Sequence, residues 1–200
     1  MSTPSVGLAI FVKTPGVSPL KTRLAKSIGR EKAEQFHIDT CKLLQKRFKT
    51  LGPNLECYWA VAEAEALDSI HWKDFPRLRQ GEGDLGDRLD FVYKSLRKIH
   101  DIIVFIGADC PFIQNSDIEK AIQSLEENDF AVAPVEDGGY YLFAGKSDLD
   151  KRVWKDVPYS VDTTAYEFIK ILKGFGKVSV DFPLYYDIDT IDEYLRFTRG

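Results

Sequence analysis

Cysteine is scarce in this chain of 200 residues: Cys41, Cys57 and Cys110 are the only three, and no CxxC pair occurs among them. An odd, unpaired set excludes a disulfide framework and a thiolate zinc site, and fits a reducing compartment. Histidine is equally sparse, with His37, His71 and His100 scattered and no HExxH or HxxxH spacing. That leaves no imidazole-based metal centre to argue for. No apolar run approaches the roughly 20 residues that a bilayer-spanning helix needs. The opening MSTPS has no basic segment of the kind that starts a signal peptide. A cytoplasmic protein with no membrane partner is the expectation. Positive charge is also short, since 27 Lys and Arg face 31 Asp and Glu for a net charge of −4. A nucleic-acid partner held by a basic face is therefore not expected. Nor does any repeat, low-complexity tract or linker divide the chain. With 44% apolar content, residues 1–200 are enough for one well-filled core and are expected to form a single domain.

What is present is an alternation of strands and helices. Val6–Val12 (VGLAIFV) is short, continuous and apolar, which predicts a buried strand of a parallel sheet. Helix is predicted after Leu24 and again from about Arg30 to Leu51, where Gly52-Pro53 ends it. Leu55–Ala62 reads as a second strand, and 63–80 as an irregular crossing with a helical turn and a short strand. Gly86–Ile99 has helical spacing, and Asp101–Ile106 (DIIVFI), the most apolar run, predicts a central strand. Ser116 and Glu119 have the spacing of a capping box for the next helix. Phe130–Val135 and Tyr140–Ala144 predict strands around the glycines of PVEDGG. Asp162–Leu172 follows as helix, Lys177–Phe182 as strand, and Thr190–Phe197 as a closing helix. This order predicts a three-layer α/β/α sandwich around a mostly parallel sheet.

The first strand leads into KTPGVSPLKTRL, a Gly/Pro loop that places Lys13, Lys21 and Arg23 at the carboxyl end of the sheet, where ligands of open α/β folds bind. Two phosphate motifs nearly match and fail. Gly16 to Lys21-Thr22 is one residue short of a Walker A loop and lacks its second glycine. The segment from Gly81 to Gly86 satisfies GxGxxG, yet no buried strand precedes it, and Glu82 and Asp84 would oppose a pyrophosphate. It reads either as a surface turn with Asp84 capping a helix or as glycines that admit a flat base or ribose.

Carboxylates gather at the same edge. Asp109 follows the predicted central strand in GADCP, and Asp187 and Asp189 sit two apart in YYDIDT, where an extended backbone aims both at one face. Asp109 could instead cap a helix, and the later pair could be solvated loop charges. A hard cation would connect them, because Mg²⁺ binds through one or two carboxylates together with substrate phosphates. Asp109 and Asp189 are the preferred ligands. Lys13, Lys21 and Arg23 would then hold the anion from the other side, Arg23 by a bidentate contact.

Five segments, FVKTPG…KTRLA, QGEGDLGDRL, IGADCP, PVEDGGYYL and DIDT, together resemble the radical-SAM/selenodomain-associated transferase 1 family. That family belongs to the glycosyltransferase-A-like, nucleotide-diphospho-sugar transferase superfamily. The resemblance implies a Rossmann-like GT-A fold and a transferase using a nucleoside triphosphate or nucleotide-sugar donor, a small acceptor, and Mg²⁺ or Mn²⁺. It assigns Lys13, Gly16, Lys21 and Arg23, with Gly83, Asp84 and Arg88, to the nucleotide and its phosphates. It assigns Asp109 and either Asp187 or Asp189 to the metal. Asp137 becomes the candidate base, with Gly138, Gly139 and Tyr140 beside the acceptor; otherwise Asp137 only satisfies the amides of a bulged turn. Nucleotidyl and glycosyl transfer use the same residues, and a nucleotide-binding module without turnover is the alternative.

Overall fold

In the computed structural model, which describes residues 3–199, the first apolar run forms β1 (Val6–Val12), as its sequence predicts. Leu8, Ile10 and Val12 enter the core on one face, while Ala9 enters the core on the other. A strand covered on both faces needs such an uninterrupted apolar run. The remaining strands are β2 (Leu55–Val61), β3 (Arg77–Arg79), β4 (Ile102–Gly107), β5 (Phe130–Pro134), β6 (Tyr140–Gly145) and β7 (Val178–Ser179). They make one sheet in the order β3-β2-β1-β4-β6-β5-β7, with the expected central strand at its middle. Only β6 runs antiparallel to its neighbours, so the β5–β6 turn lies at the same edge as the ends of β1 and β4.

The helices are α1 (Thr22–Ile28), α2 (Arg30–Phe48), α3 (Leu85–Arg97), α4 (Asn115–Ser124), α5 (Arg152–Lys155), α6 (Thr164–Lys173) and α7 (Ile191–Arg199). Helices α2 and α4 supply Leu44, Phe48, Ile118 and Ala121 to one core, and α3, α5 and α6 supply Val92, Tyr93, Trp154 and Phe168 to the other. This is the layered arrangement that the alternation predicts. Gly29, with φ +88, separates α1 from α2.

Three local details differ from the sequence reading. Helix α4 is capped by Gln114 with Asp117, whose carboxylate accepts from the Gln114 amide at 2.8 Å, so Ser116 lies inside the helix rather than at its start. The last strand keeps only two residues. It is an edge strand, and Pro183 beyond it has no N–H for a ladder. Helix α5 is four residues long, too short to carry a readable period.

Candidate functional site

A cavity of about 790 Å³ opens where β1 and β4 end, and its walls bring together Lys13, Lys21, Arg23, Asp109, Tyr140, Asp187 and Asp189. That volume lies within the range of small-molecule sites. A second cavity of about 530 Å³ shares Lys13 and Pro19 with the first and is lined by Gly81, Gly83 and Arg88. The root of the basic loop is fixed from beneath. The Thr14 amide donates to buried Glu63 at 2.9 Å, and Trp72 Nε1 donates to the Thr14 hydroxyl at 3.0 Å. Gly16, at the exposed tip, needs its left-handed φ of +78 for the turn itself.

The centre of the main cavity is an ion cluster. Lys21 caps α1 in a left-handed conformation, φ 47 and ψ 39, and its side chain is only 1% exposed. Its Nζ lies 2.6 Å from Asp109 Oδ1 and 3.1 Å from Asp189 Oδ1, and donates to the Ile188 carbonyl at 2.7 Å. Asp109 arrives two residues beyond β4. The DIDT segment is held against it by the Ile188 amide, which donates to the Asp109 carbonyl at 3.2 Å. Glu193 then accepts from the Asp189 and Thr190 amides at 2.8 and 2.6 Å, so the first turn of α7 sets the backbone that carries Asp189. Lys21, grouped with the phosphate ligands on sequence, and Asp109 and Asp189, grouped as metal ligands, thus meet in one cluster.

Charge is unevenly matched there. Burial alone would lower the Lys21 ammonium, but Asp109 and Asp189 outweigh it and hold it above the ordinary lysine range. Burial would raise the Asp109 carboxyl, yet Lys21 keeps it below the carboxylate range. Asp187 has no such partner. Burial first, then the neighbouring Asp109 and Asp189, push its carboxyl up to about 8. Three carboxyl groups therefore surround one ammonium, and the one left without it, Asp187, keeps its proton at neutral pH. The residue set fits a divalent cation in charge and in ligand type, with Asp187 and the Asp109 and Asp189 oxygens that Lys21 does not contact as candidate ligands. Among the described residues, no three His, Cys, Asp or Glu side chains form a metal cage by themselves. A Mg²⁺ site completed by phosphates would not require one.

Of the other sequence candidates, Tyr140 lines the main cavity and Gly83 and Arg88 the adjoining one, whereas Gly16, Asp84, Asp137, Gly138 and Gly139 are not among the wall residues of either. Asp84 caps α3: its carboxylate accepts from the Asp87 amide at 3.0 Å, Asp87 accepts from the Asp84 amide at 3.2 Å, and Lys155 reaches both carboxylates. Exposed Asp137 accepts from the Gly139 amide at 3.0 Å, inside the β5–β6 turn. Gly138 has φ +88, and a Cβ there would overlap the Asp162 carbonyl oxygen. Its own carbonyl accepts from the Ala165 amide at 2.8 Å, tying the turn to the first turn of α6. Tyr140 stacks on Phe168, with ring centroids 5.0 Å apart, at the cavity wall.

Gln80, His37 and Ser160 are cavity residues to which sequence reasoning gave no role. Gln80 is buried at the end of β3 and donates to the Ala60 and Val12 carbonyls, joining the ends of β2 and β1. His37, on α2, lies within hydrogen-bond distance of the Lys13 carbonyl at 3.1 Å. Tyr141 is buried in the core on the opposite face of β6 from Tyr140, and Ser160 holds φ +64. Among the described residues, Lys21 and Ser160 are the two non-glycine positions with positive φ, and both line this cavity. Strained backbone of this kind gathers at functional sites. It leaves no mark in a sequence.

Residues 43–161, more than half of the chain, match the family described as "uncharacterized protein conserved in bacteria (DUF2064)". The chain belongs to this family. The matched region holds QGEGDLGDRL, IGADCP and PVEDGGYYL, with the first loop and DIDT outside it. A search of curated proteins finds no match. Among solved structures, a candidate nucleotide-diphospho-sugar transferase from Desulfovibrio desulfuricans G20 superposes with a TM-score of 0.85 at 23% identity, covering 98% of this chain and 87% of that one. CMP:2-keto-3-deoxy-manno-octonic acid synthetase complexed with CTP has a TM-score of 0.62 at 12% identity, covering 98% of this chain and all of that one. A Mycobacterium tuberculosis H37Rv protein in complex with manganese has a TM-score of 0.55 at 14% identity, covering 99% of this chain and all of that one. The DUF2064 chain therefore has the nucleotide-diphospho-sugar transferase fold. Among its described residues, no helix is long and apolar enough to cross a membrane.

Proposed function

We propose that the chain is a transferase that takes a nucleoside triphosphate or nucleotide-diphospho-sugar as donor, with Mg²⁺ or Mn²⁺, and passes a nucleotidyl or glycosyl group to a small acceptor. The observation that carries this reading is the cavity at the carboxyl edge of the sheet, where basic Lys13 and Arg23 meet Asp109, Asp187 and Asp189. Bound CTP in the synthetase and manganese in the mycobacterial structure support a nucleotide donor and a divalent cation. Lys13 and Arg23 take the donor phosphates, and Gly81, Gly83 and Arg88 of the adjoining cavity line the path of the nucleoside. The divalent ion, when bound, supplies charge neutralisation at those phosphates and at the departing diphosphate.

Nucleotidyl transfer has an acceptor phosphate attack the α-phosphorus while pyrophosphate leaves, and asks no base of the protein. Glycosyl transfer forms a bond from an acceptor hydroxyl to the anomeric carbon as the nucleoside diphosphate departs. The hydroxyl proton then passes to Asp137, on the acceptor side.

Arg23→Ala should weaken binding of di- and triphosphates ten- to a hundredfold, about 1.5–3 kcal/mol, while barely changing the bare nucleoside. Calorimetry on the three ligands measures this, and equal losses for all would make the loop scaffold. Asp137→Asn keeps an acceptor oxygen for the Gly139 amide, so its turn survives. Nucleotide affinity should stay within about threefold, ~0.7 kcal/mol, while turnover falls ~10²-fold if Asp137 is the base. Full turnover in this variant points to nucleotidyl transfer.

The proposal as a whole is tested by incubating the protein with a panel of nucleoside triphosphates and nucleotide sugars plus Mg²⁺. Thermal shift reports binding, and released diphosphate or pyrophosphate reports transfer. Binding without product across donors and acceptors would replace the enzyme with a nucleotide-binding module.

A further inference from the structure

We propose that Lys21 is a resident cation of the carboxylate cluster: its ammonium stands where a metal ion would otherwise be required, so the site is assembled before any divalent ion arrives and takes one such ion rather than two. An ammonium carries three N–H donors and no acceptor. Lys21 Nζ has three oxygens around it, Asp109 Oδ1 at 2.6 Å, Ile188 O at 2.7 Å and Asp189 Oδ1 at 3.1 Å. None of its donors remains for a phosphate. Two carboxylates and a backbone carbonyl are also the oxygen ligands that a hard cation selects. The protein has met that ligand set with its own side chain.

The surroundings make the arrangement permanent. The Lys21 side chain is sealed from solvent, with the Phe36 ring 6.0 Å from Nζ. Phe36 is itself held edge-on by Tyr194 and Phe197 of α7 at 5.4 and 5.8 Å. The backbone at Lys21 is left-handed, a conformation that favours glycine. A glycine there would relieve the strain and lose the ammonium. Keeping lysine at that cost is explained by the charge it brings, because Asp109 and Asp189 would otherwise face one another without a counter-charge.

The divalent ion in this inference rests on the proposed function, whereas the role of Lys21 does not, and the test reads metal-linked stability without nucleotide or turnover. Wild type, Lys21→Met and the charge-balanced Lys21→Met/Asp189→Asn are freed of metal with a chelator and melted with and without MnCl₂. Wild type should respond weakly to Mn²⁺ and bind at most one ion per chain by calorimetry. Lys21→Met should be strongly destabilised without metal and regain ~5 °C or more of Tm in excess Mn²⁺, with an additional ion bound. The double variant should melt near wild type and respond to Mn²⁺ no more than wild type does.

Equal Mn²⁺ responses in Lys21→Met and wild type would overturn the proposal. So would Lys21→Met and the double variant being equally destabilised and equally indifferent to Mn²⁺, which makes Lys21 a packing residue. A Lys21→Met chain that stays unfolded in Mn²⁺ while the double variant folds also overturns it, because charge would matter and metal could not replace it. If wild type shows neither an Mn²⁺ response nor transfer while Lys21→Met gains the response, the resident cation stands and the metal-dependent transferase does not.

Discussion

Asp109→Asn is expected to abolish divalent-dependent nucleotide binding, raising the dissociation constant roughly a hundredfold or more, the upper end for a lost charge-assisted contact. The fold should lose only about 1–2 kcal/mol. Asparagine keeps an oxygen for the Lys21 ammonium, which retains Asp189 and the Ile188 carbonyl as partners. Half of the Asp109 side chain is also exposed, so water tempers the cost to stability. Binding has no such reserve. The cluster loses one of the negative charges that face the cavity, and few protein ligands are there to compensate. Calorimetry with and without chelator, beside a urea melt, separates the two effects. Unchanged Mg²⁺ dependence in the variant would make Asp109 purely structural.

Gly138→Ala should have the largest effect on stability of any single methyl group added near the site, ~3 kcal/mol or more. Its φ of +88 disfavours alanine, and the new Cβ would overlap the backbone oxygen of Asp162 rather than a side chain that can rotate away. A loss of ~3 kcal/mol corresponds to roughly 6–12 °C in Tm for a chain of this size. Relief requires moving the β5–β6 turn away from the segment before α6, which breaks the bond from the Ala165 amide to the Gly138 carbonyl. Ser160, in that segment and on the cavity wall, would move with it. Turnover should therefore fall more than nucleotide affinity. A melt within about 0.5 kcal/mol of wild type would mean that the turn relaxes freely and that the close approach does not constrain it.

How much of this was legible in the sequence depended on length and on distance along the chain. β1, β2, β4, α2 and α3 were readable because each is long enough to show its period and is buried on a definite face. The two residues of β7 and the four of α5 are not. The α4 cap shows a different limit, since Ser116/Glu119 and Gln114/Asp117 both have capping-box spacing and geometry alone distinguishes them. At the site, composition marked the basic loop and the three aspartates, and glycine marked the turn at 138. The pairing of Lys21 with Asp109 was hidden because it depends on β4 lying beside β1 in the sheet, a neighbour relation that no local pattern encodes. Gln80 and Ser160 escaped for a related reason: a buried amide joining two strand ends, and a strained φ, have no compositional trace.

The partnership of Lys21 with Asp189 spans 168 positions, and it gives the molecule an order of completion. A nascent chain emerges N-terminus first. Strands β1, β2 and β4 and their covering helices can assemble while residues 187–199 are still unmade, because all their pairings lie upstream. The basic loop and Asp109 are then in place with one partner missing. Only when DIDT docks against Asp109 and α7 closes on Phe36 does the ammonium receive its last carboxylate. The sheet edge that carries Lys21 and Asp109 can thus form before residue 189 exists to complete the cluster, so the ion cluster closes after the strands that position it.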